Sequence, residues 1–133
     1  MTTYFPSTPT VVDSDRILYT ASPFARSSLI HLQEIGTLTA LRAHITKFQN
    51  LASYLFFVVQ AGEGTVIYEG KTYNLSMGDC VFVDCQTTFS HETSVNNLWT
   101  LQWCHFYGPS MPLIYEKYLE RGGGPSVQTE GSR

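Results

Sequence analysis

The sequence predicts a mainly β domain, a sandwich or barrel closed off by one helix. Three observations predict it. From Arg16 to His105 the 133-residue chain reads as about eight short apolar runs separated by Gly, Asn, Asp and Ser turn signals. Charged residues make up 14% and aromatics another 14%, against roughly 25% charged in an average domain, so much of the chain is interior material. Helical periodicity occurs once, after residue 110.

The first fifteen residues, MTTYFPSTPTVVDSD, are rich in Pro, Ser and Thr and read as an extended arm. The runs Ser27–Glu34 and Leu38–Phe48 flank Ile35-Gly36-Thr37, which reads as a hairpin connection. Tyr54–Gln60 (YLFFVVQ) is almost entirely apolar, as in a strand covered on both faces. Gly62-Glu63-Gly64 turns the chain back into Thr65–Glu69, and Glu69-Gly70-Lys71 is a tight turn into Thr72–Leu75. Ser76-Met77-Gly78-Asp79 leads into Cys80–Asp84, and Ser94-Val95-Asn96-Asn97 into the long strand Leu98–Phe106. The helix is Met111–Arg121, with Ser110 as N-cap, Pro112 in its first turn and Gly122 as its stop. Ile114, Tyr115, Tyr118 and Leu119 form one apolar stripe, which must cover the barrel or meet a partner. Residues 122–133, GGGPSVQTEGSR, read as a flexible linker.

Several function classes drop out. With a net charge of −3 and neither a basic stripe nor a pair of short amphipathic helices, this stretch does not read as a DNA binder by itself. No apolar run approaches the roughly 20 residues that cross a bilayer. The start lacks a basic segment and an apolar core, so the expected location is cytoplasmic. Three cysteines, Cys80, Cys85 and Cys104, suit a reducing compartment. The stretch GDCVFVDCQTTFSH (Gly78–His91) gathers two Cys, two Asp and a His, but a zinc thiolate site needs two close ligand pairs. Cys80 and Cys85 are five apart and would face opposite ways along one strand, so both read as packing. No nucleophile–base pairing stands out, and neither catalysis nor a cofactor is expected.

Two motifs carry a family resemblance. GEGTVIYEGKTYNLSMGDCVFVD (Gly62–Asp84) resembles the strand–turn–strand unit of cupin barrels, which implies a double-stranded β-helix, or jelly-roll, barrel. Metal-binding cupins place two His and a Glu before the glycine turn. Here those positions hold Phe48 and Asn50, or Gln49 and Leu51, and then Leu55. The second cupin motif's Pro, Gly and His fall on Asp84, Gln86 and Phe89, and His91 alone cannot hold a transition metal. The pattern is similar to a metal-free cupin. Further on, Leu98–Gly108 (LWTLQWCHFYG) followed by an amphipathic helix is similar to the end of the regulatory domain of AraC-type transcription factors. YLFFVVQAGEG and GKTYNLSMGDCVFVDC resemble the same domains, over about residues 16–121.

That resemblance implies an organisation and a function. A barrel over 16–108 binds a small effector, often a sugar or related metabolite. The helix over 109–121 pairs two subunits into a homodimer through Ile114, Tyr115, Tyr118 and Leu119. A separate C-terminal domain with two helix-turn-helix units, without counterpart here, reads DNA in the bacterial regulator. The arm, with Phe5, Pro6 and Pro9, would fold over the pocket. Alternation puts Trp99, Leu101, Trp103 and His105 on one strand face, an aromatic floor suited to sugars and similar amphipathic ligands. The resemblance adds His91 and Lys47 to Trp103 as pocket positions, with Phe89 where relatives usually carry His. The ligand-binding candidates are thus Lys47, Phe89, His91, Leu101, Trp103 and His105, with Arg42 and His44 as a second set sharing a face with Thr46. Beside this stand duller readings: both tryptophans and the histidines as core, Lys47 as a solvated charge. A stand-alone cupin isomerase or dioxygenase and a metal-free carbohydrate-binding cupin are the alternative functions.

Overall fold

A computed structural model describes residues 12–127. The chain runs β1 (Val12–Leu18), α1 (Pro23–Ser28), β2 (His31–Ala40), β3 (Ile45–Phe48), β4 (Tyr54–Ala61), β5 (Glu63–Tyr68), β6 (Lys71–Ser76), β7 (Cys80–Asp84), β8 (Phe89–Thr93), β9 (Thr100–Tyr107), α2 (Met111–Glu120) and β10 (Ser126–Val127). The strands form a six-stranded sheet, β1-β2-β9-β4-β7-β10, and a four-stranded sheet, β3-β8-β5-β6. Every neighbouring pair is antiparallel.

The core lies between the sheets and follows the period-2 pattern of the strands. Leu55, Phe57 and Val59 of β4 point inward, as do Val81 and Val83 of β7, Val66 and Tyr68 of β5, and Phe89 and His91 of β8. Trp99, Leu101, Trp103 and His105 form one fully buried row, as their alternation predicts. The hairpin at Glu69-Gly70 has two successive positive φ values, 51° and 79°, the geometry whose twist matches the flanking strands. At the next turn Gly78 takes φ 95°, and Asp79 Oδ2 accepts from Ser76 N at 2.9 Å.

Five sequence expectations are corrected. Ile35-Gly36-Thr37 is not a hairpin connection, because β2 runs straight through it. Gly36 is there to make room: a Cβ would stand 2.6 Å from the Trp103 ring and 2.5 Å from the Asp15 carbonyl oxygen. Ser27 and Ser28 end α1, whose N-terminus is capped by Ser22 Oγ accepting from Ala25 N at 3.1 Å. The expected arm over 1–15 already pairs as β1 from Val12, where Val12 is buried against Ala40; residues 1–11 lie outside the described residues. β4 is covered on both faces only at its start: Tyr54 is buried beneath α2, while Phe56 faces outward and is 39% exposed. Finally, residues 122–127 are not slack linker. Gly123 lies against the Tyr118 ring, Tyr118 Oη donates to Gly124 O at 2.6 Å, and Phe82 N donates to Pro125 O at 2.9 Å. β10 then pairs with β7 (Ser126 with Val81, Val127 with Cys80).

Helix α2 sits on the outer face of the six-stranded sheet. Met111, Tyr115 and Tyr118 pack on Tyr54, Phe82, Phe106 and Tyr107 in a second apolar cluster. Ser110 precedes the helix in αR conformation and makes no side-chain cap bond. The predicted stripe is therefore split: Tyr115 and Tyr118 turn onto their own barrel, whereas Ile114 and Leu119, with Leu113, stay exposed. Among the described residues no helix is long and apolar enough to cross a membrane.

Candidate functional site

Of the six ligand-binding candidates, five are gathered inside the barrel. Phe89 and His91 come from β8, Leu101, Trp103 and His105 from β9, each at most 2% exposed. Lys47 is the exception. Within β3 the inward positions are Thr46 and Phe48, so Lys47 points into solvent on the outer side of the four-stranded sheet. In the second set Arg42 is exposed, while partly buried His44 lies near enough to His91 to affect its protonation.

The interior is aromatic and tightly built. Phe48 stacks on Phe89 with centroids 5.6 Å apart and rings inclined by 13°. The edge of Phe48 meets His105 at 5.6 Å, and its other neighbour His91 lies at 6.1 Å. His91 in turn contacts Phe57 at 5.5 Å and Trp99 at 5.6 Å. Burial, followed by the neighbouring His44 and His105, pushes the His91 pKa down to about 3. Burial does the same for His105, also to about 3. Both imidazoles are therefore neutral at pH 7 and act through single N–H donors and ring-nitrogen acceptors. Ser53 Oγ shares a 2.8 Å hydrogen bond with His105 Nδ1, which fixes that ring's orientation.

The structure adds polar residues that the sequence reading missed. Glu34 of β2 is fully buried, and its Oε2 accepts from Trp103 Nε1 at 3.0 Å. Arg16 of β1 places a guanidinium nitrogen 3.9 Å from the other oxygen, Oε1. Burial raises the Glu34 pKa, opposed by the Trp103 bond and the Arg16 charge. Thr46, also unforeseen as a contact, is buried across the sheet from His91. Glu34 was hidden by a bulge. Simple alternation puts Leu32 and Glu34 on one face, but the β2–β9 register slips between them, so Leu32 pairs with outward Phe106 and Glu34 with inward His105. An acid between Leu32 and Ile35, two residues before Gly36, was the available signal.

The cupin metal positions do not fit a metal here. Phe48, Leu55 and Phe89 fill three of them with apolar side chains packed into the core, the alternatives Gln49, Asn50 and Leu51 are not acidic or imidazole ligands, and among the described residues no three His, Cys, Asp or Glu converge. A groove of about 620 Å³ crosses the outer face of the six-stranded sheet, lined by apolar Ile17, Ile35, Phe56 and Val58 and by polar Asp15, Arg16, Thr37 and Gln102. The fully buried polar side chains Glu34, His91 and His105 lie on the other side of that sheet, in the barrel.

Two facing antiparallel sheets with an aromatic interior, a few buried polar groups and an outer helix define a cupin-type binding domain rather than a metal-dependent cupin site. The chain belongs to the AraC-like ligand binding domain family, whose model matches residues 34–131. No curated protein matches it in sequence. Among solved structures, it is similar to a predicted oxalate decarboxylase from Thermotoga maritima, with 14% identity, a TM-score of 0.59, and 72% of this chain and 80% of that one covered. It is also similar to the Cupin_2 domain of an XRE family transcriptional regulator from Enterobacter cloacae (11%, TM-score 0.56, 74% and 98% covered). An HTH_3 family transcriptional regulator from Vibrio cholerae matches at 13% identity and a TM-score of 0.53, with 70% of this chain and 49% of that one covered, so the chain spans about half its length. These likenesses establish the cupin fold. They span enzymes and regulators alike, so function has to be argued from the site.

Proposed function

We propose that this domain is the sensing part of a bacterial transcription regulator, holding a small effector inside the barrel and transmitting its presence to a DNA-reading domain. One observation carries the reading: a carboxylate, an indole N–H, a guanidinium and two neutral imidazoles are gathered within an otherwise aromatic interior. Each buried polar group has to be paired or it costs about 1–3 kcal/mol, so a core built only for stability would not gather several of them. Flat rings with a few directed polar groups suit a small amphipathic molecule such as a sugar or related metabolite. The family membership supports the same role. Catalysis at a cupin metal is disfavoured by the apolar residues at the ligand positions, Phe48, Leu55 and Phe89.

The mechanism is linkage. An effector that binds one arrangement of barrel and flanking segments more tightly shifts the population towards it, by no more than its difference in affinity. Two subunits pair through the outward side of α2, where Leu113, Ile114 and Leu119 are exposed, while Tyr115 and Tyr118 remain on their own barrel. A thermal-shift screen over sugars, polyols, amines and carboxylic acids tests the core of this reading. An effector at 100 times its Kd adds about 2.7 kcal/mol, or a rise of roughly 10 °C in Tm. Silence across all four classes sinks the sensor. Sedimentation of Ile114→Asp tests the pairing, which predicts a dimer that this substitution turns into monomer.

A further inference from the structure

Glu34 is the least explained group in the interior. Its Oε2 is held by Trp103, but Oε1 is buried with no hydrogen-bond partner among the described residues, and Arg16 stands off at 3.9 Å, beyond hydrogen-bond reach. An ionised carboxylate accepts at both oxygens, and leaving one unfilled away from water is costly. Register sets Glu34 directly across from His105, in the interior shared with Trp103 and the Phe48–Phe89 stack.

Resting on the effector reading above, we propose that Glu34 is its specificity-determining residue, and that the effector is a neutral or cationic molecule with a flat apolar body that donates a hydrogen bond to Glu34 Oε1. The class is thus an alcohol or amine carried on an aromatic or similarly flat frame. Its hydroxyl or ammonium satisfies the open oxygen beside the Trp103 indole, which Glu34 already holds. An effector that is itself a carboxylate or phosphate meets the buried negative charge of Glu34 and is rejected, because like charges out of water repel strongly. Arg16 tempers that field and so limits how tightly an amine is held.

Three near-isosteric probes separate the classes: 2-phenylethylamine, 2-phenylethanol and phenylacetate, which share a phenyl ring and end in an amine, an alcohol and an acid. The chain has only two tryptophans, so the indole N–H signals of protein labelled with ¹⁵N-tryptophan report the site directly. The amine and the alcohol are expected to shift the Trp103 indole signal at concentrations at least tenfold below any effect of the acid. Glu34→Gln keeps an acceptor for Trp103 but removes the charge; it should weaken the amine at least tenfold and narrow the gap to the acid. Arg16→Gln leaves Glu34 in place and should tighten the amine several-fold. Equal or tighter binding of the acid, unchanged binding of the amine in Glu34→Gln, weaker binding of the amine in Arg16→Gln, or no response to any probe overturns the assignment. The functional reading survives each of these results if the wider screen finds an effector, for example an anion insensitive to Glu34→Gln. It falls only if that screen is silent.

Discussion

Mild acid should destabilise this domain through two side chains. His91 and His105 are buried, and both are held near pKa 3, far below the value of about 6.5 in an unfolded chain. A base whose folded pKa is depressed is charged more readily in the unfolded state, so its contribution is complete above pH 6.5 and is lost as pH falls from there towards 3. At pH 5.0 the unfolded chain gains about 2 kcal/mol per histidine from protonation, against less than about 0.1 at pH 7.5. The pair therefore costs about 4 kcal/mol over that interval, a large share of the 5–15 kcal/mol typical of a domain. The result does not depend on the folded values, provided both lie well below 5. Glu34 acts in the opposite sense, because its raised pKa lets the native state take a proton first, but it is one group opposing two. Urea unfolding at pH 7.5 and 5.0 provides the measurement. Wild type should lose about 4 kcal/mol between them, and His91→Leu or His105→Gln about half as much, whatever each does to absolute stability. A flat profile in wild type, or a full slope in the double variant, refutes the argument.

Other substitutions probe the packing. Gly36→Ala drives a methyl group into the Trp103 ring and the Asp15 carbonyl and should cost about 1–3 kcal/mol in urea unfolding. Phe89→Ala empties the centre of the ring stack and should cost about 3–5 kcal/mol by the same assay. Tyr118→Phe removes the hydroxyl bond to Gly124 O, worth about 1 kcal/mol, so amide exchange at Phe82 should quicken roughly fivefold while Phe57 is unaffected.

The barrel was legible because its strands alternate and its turns are spelled out in glycine. The Trp99 to His105 row and the Glu69-Gly70 hairpin follow from period and turn chemistry alone. The edges were harder to read. Gly36 looked like a turn because a glycine that makes room for a distant indole has the same letter as one that bends the chain. Lys47 was placed by resemblance, and the alternation Thr46-Lys47-Phe48 with an apolar Phe48 already pointed it outward. Glu34 needed the bulge, a tertiary feature without a local signature. The stripe of α2 was correctly apolar, but sequence could not divide it between its own barrel and the outside.

The return of residues 122–127 onto β7 changes how movement leaves the domain. A free stretch of six residues wanders over roughly 13 Å and absorbs small displacements before they reach anything beyond it. Here the backbone is fastened to Phe82, between inward-facing Val81 and Val83 on the one strand. A shift of that strand therefore has to carry Ser126 and Val127 with it. The glycines that resemble a hinge lead into a segment tied to the barrel wall.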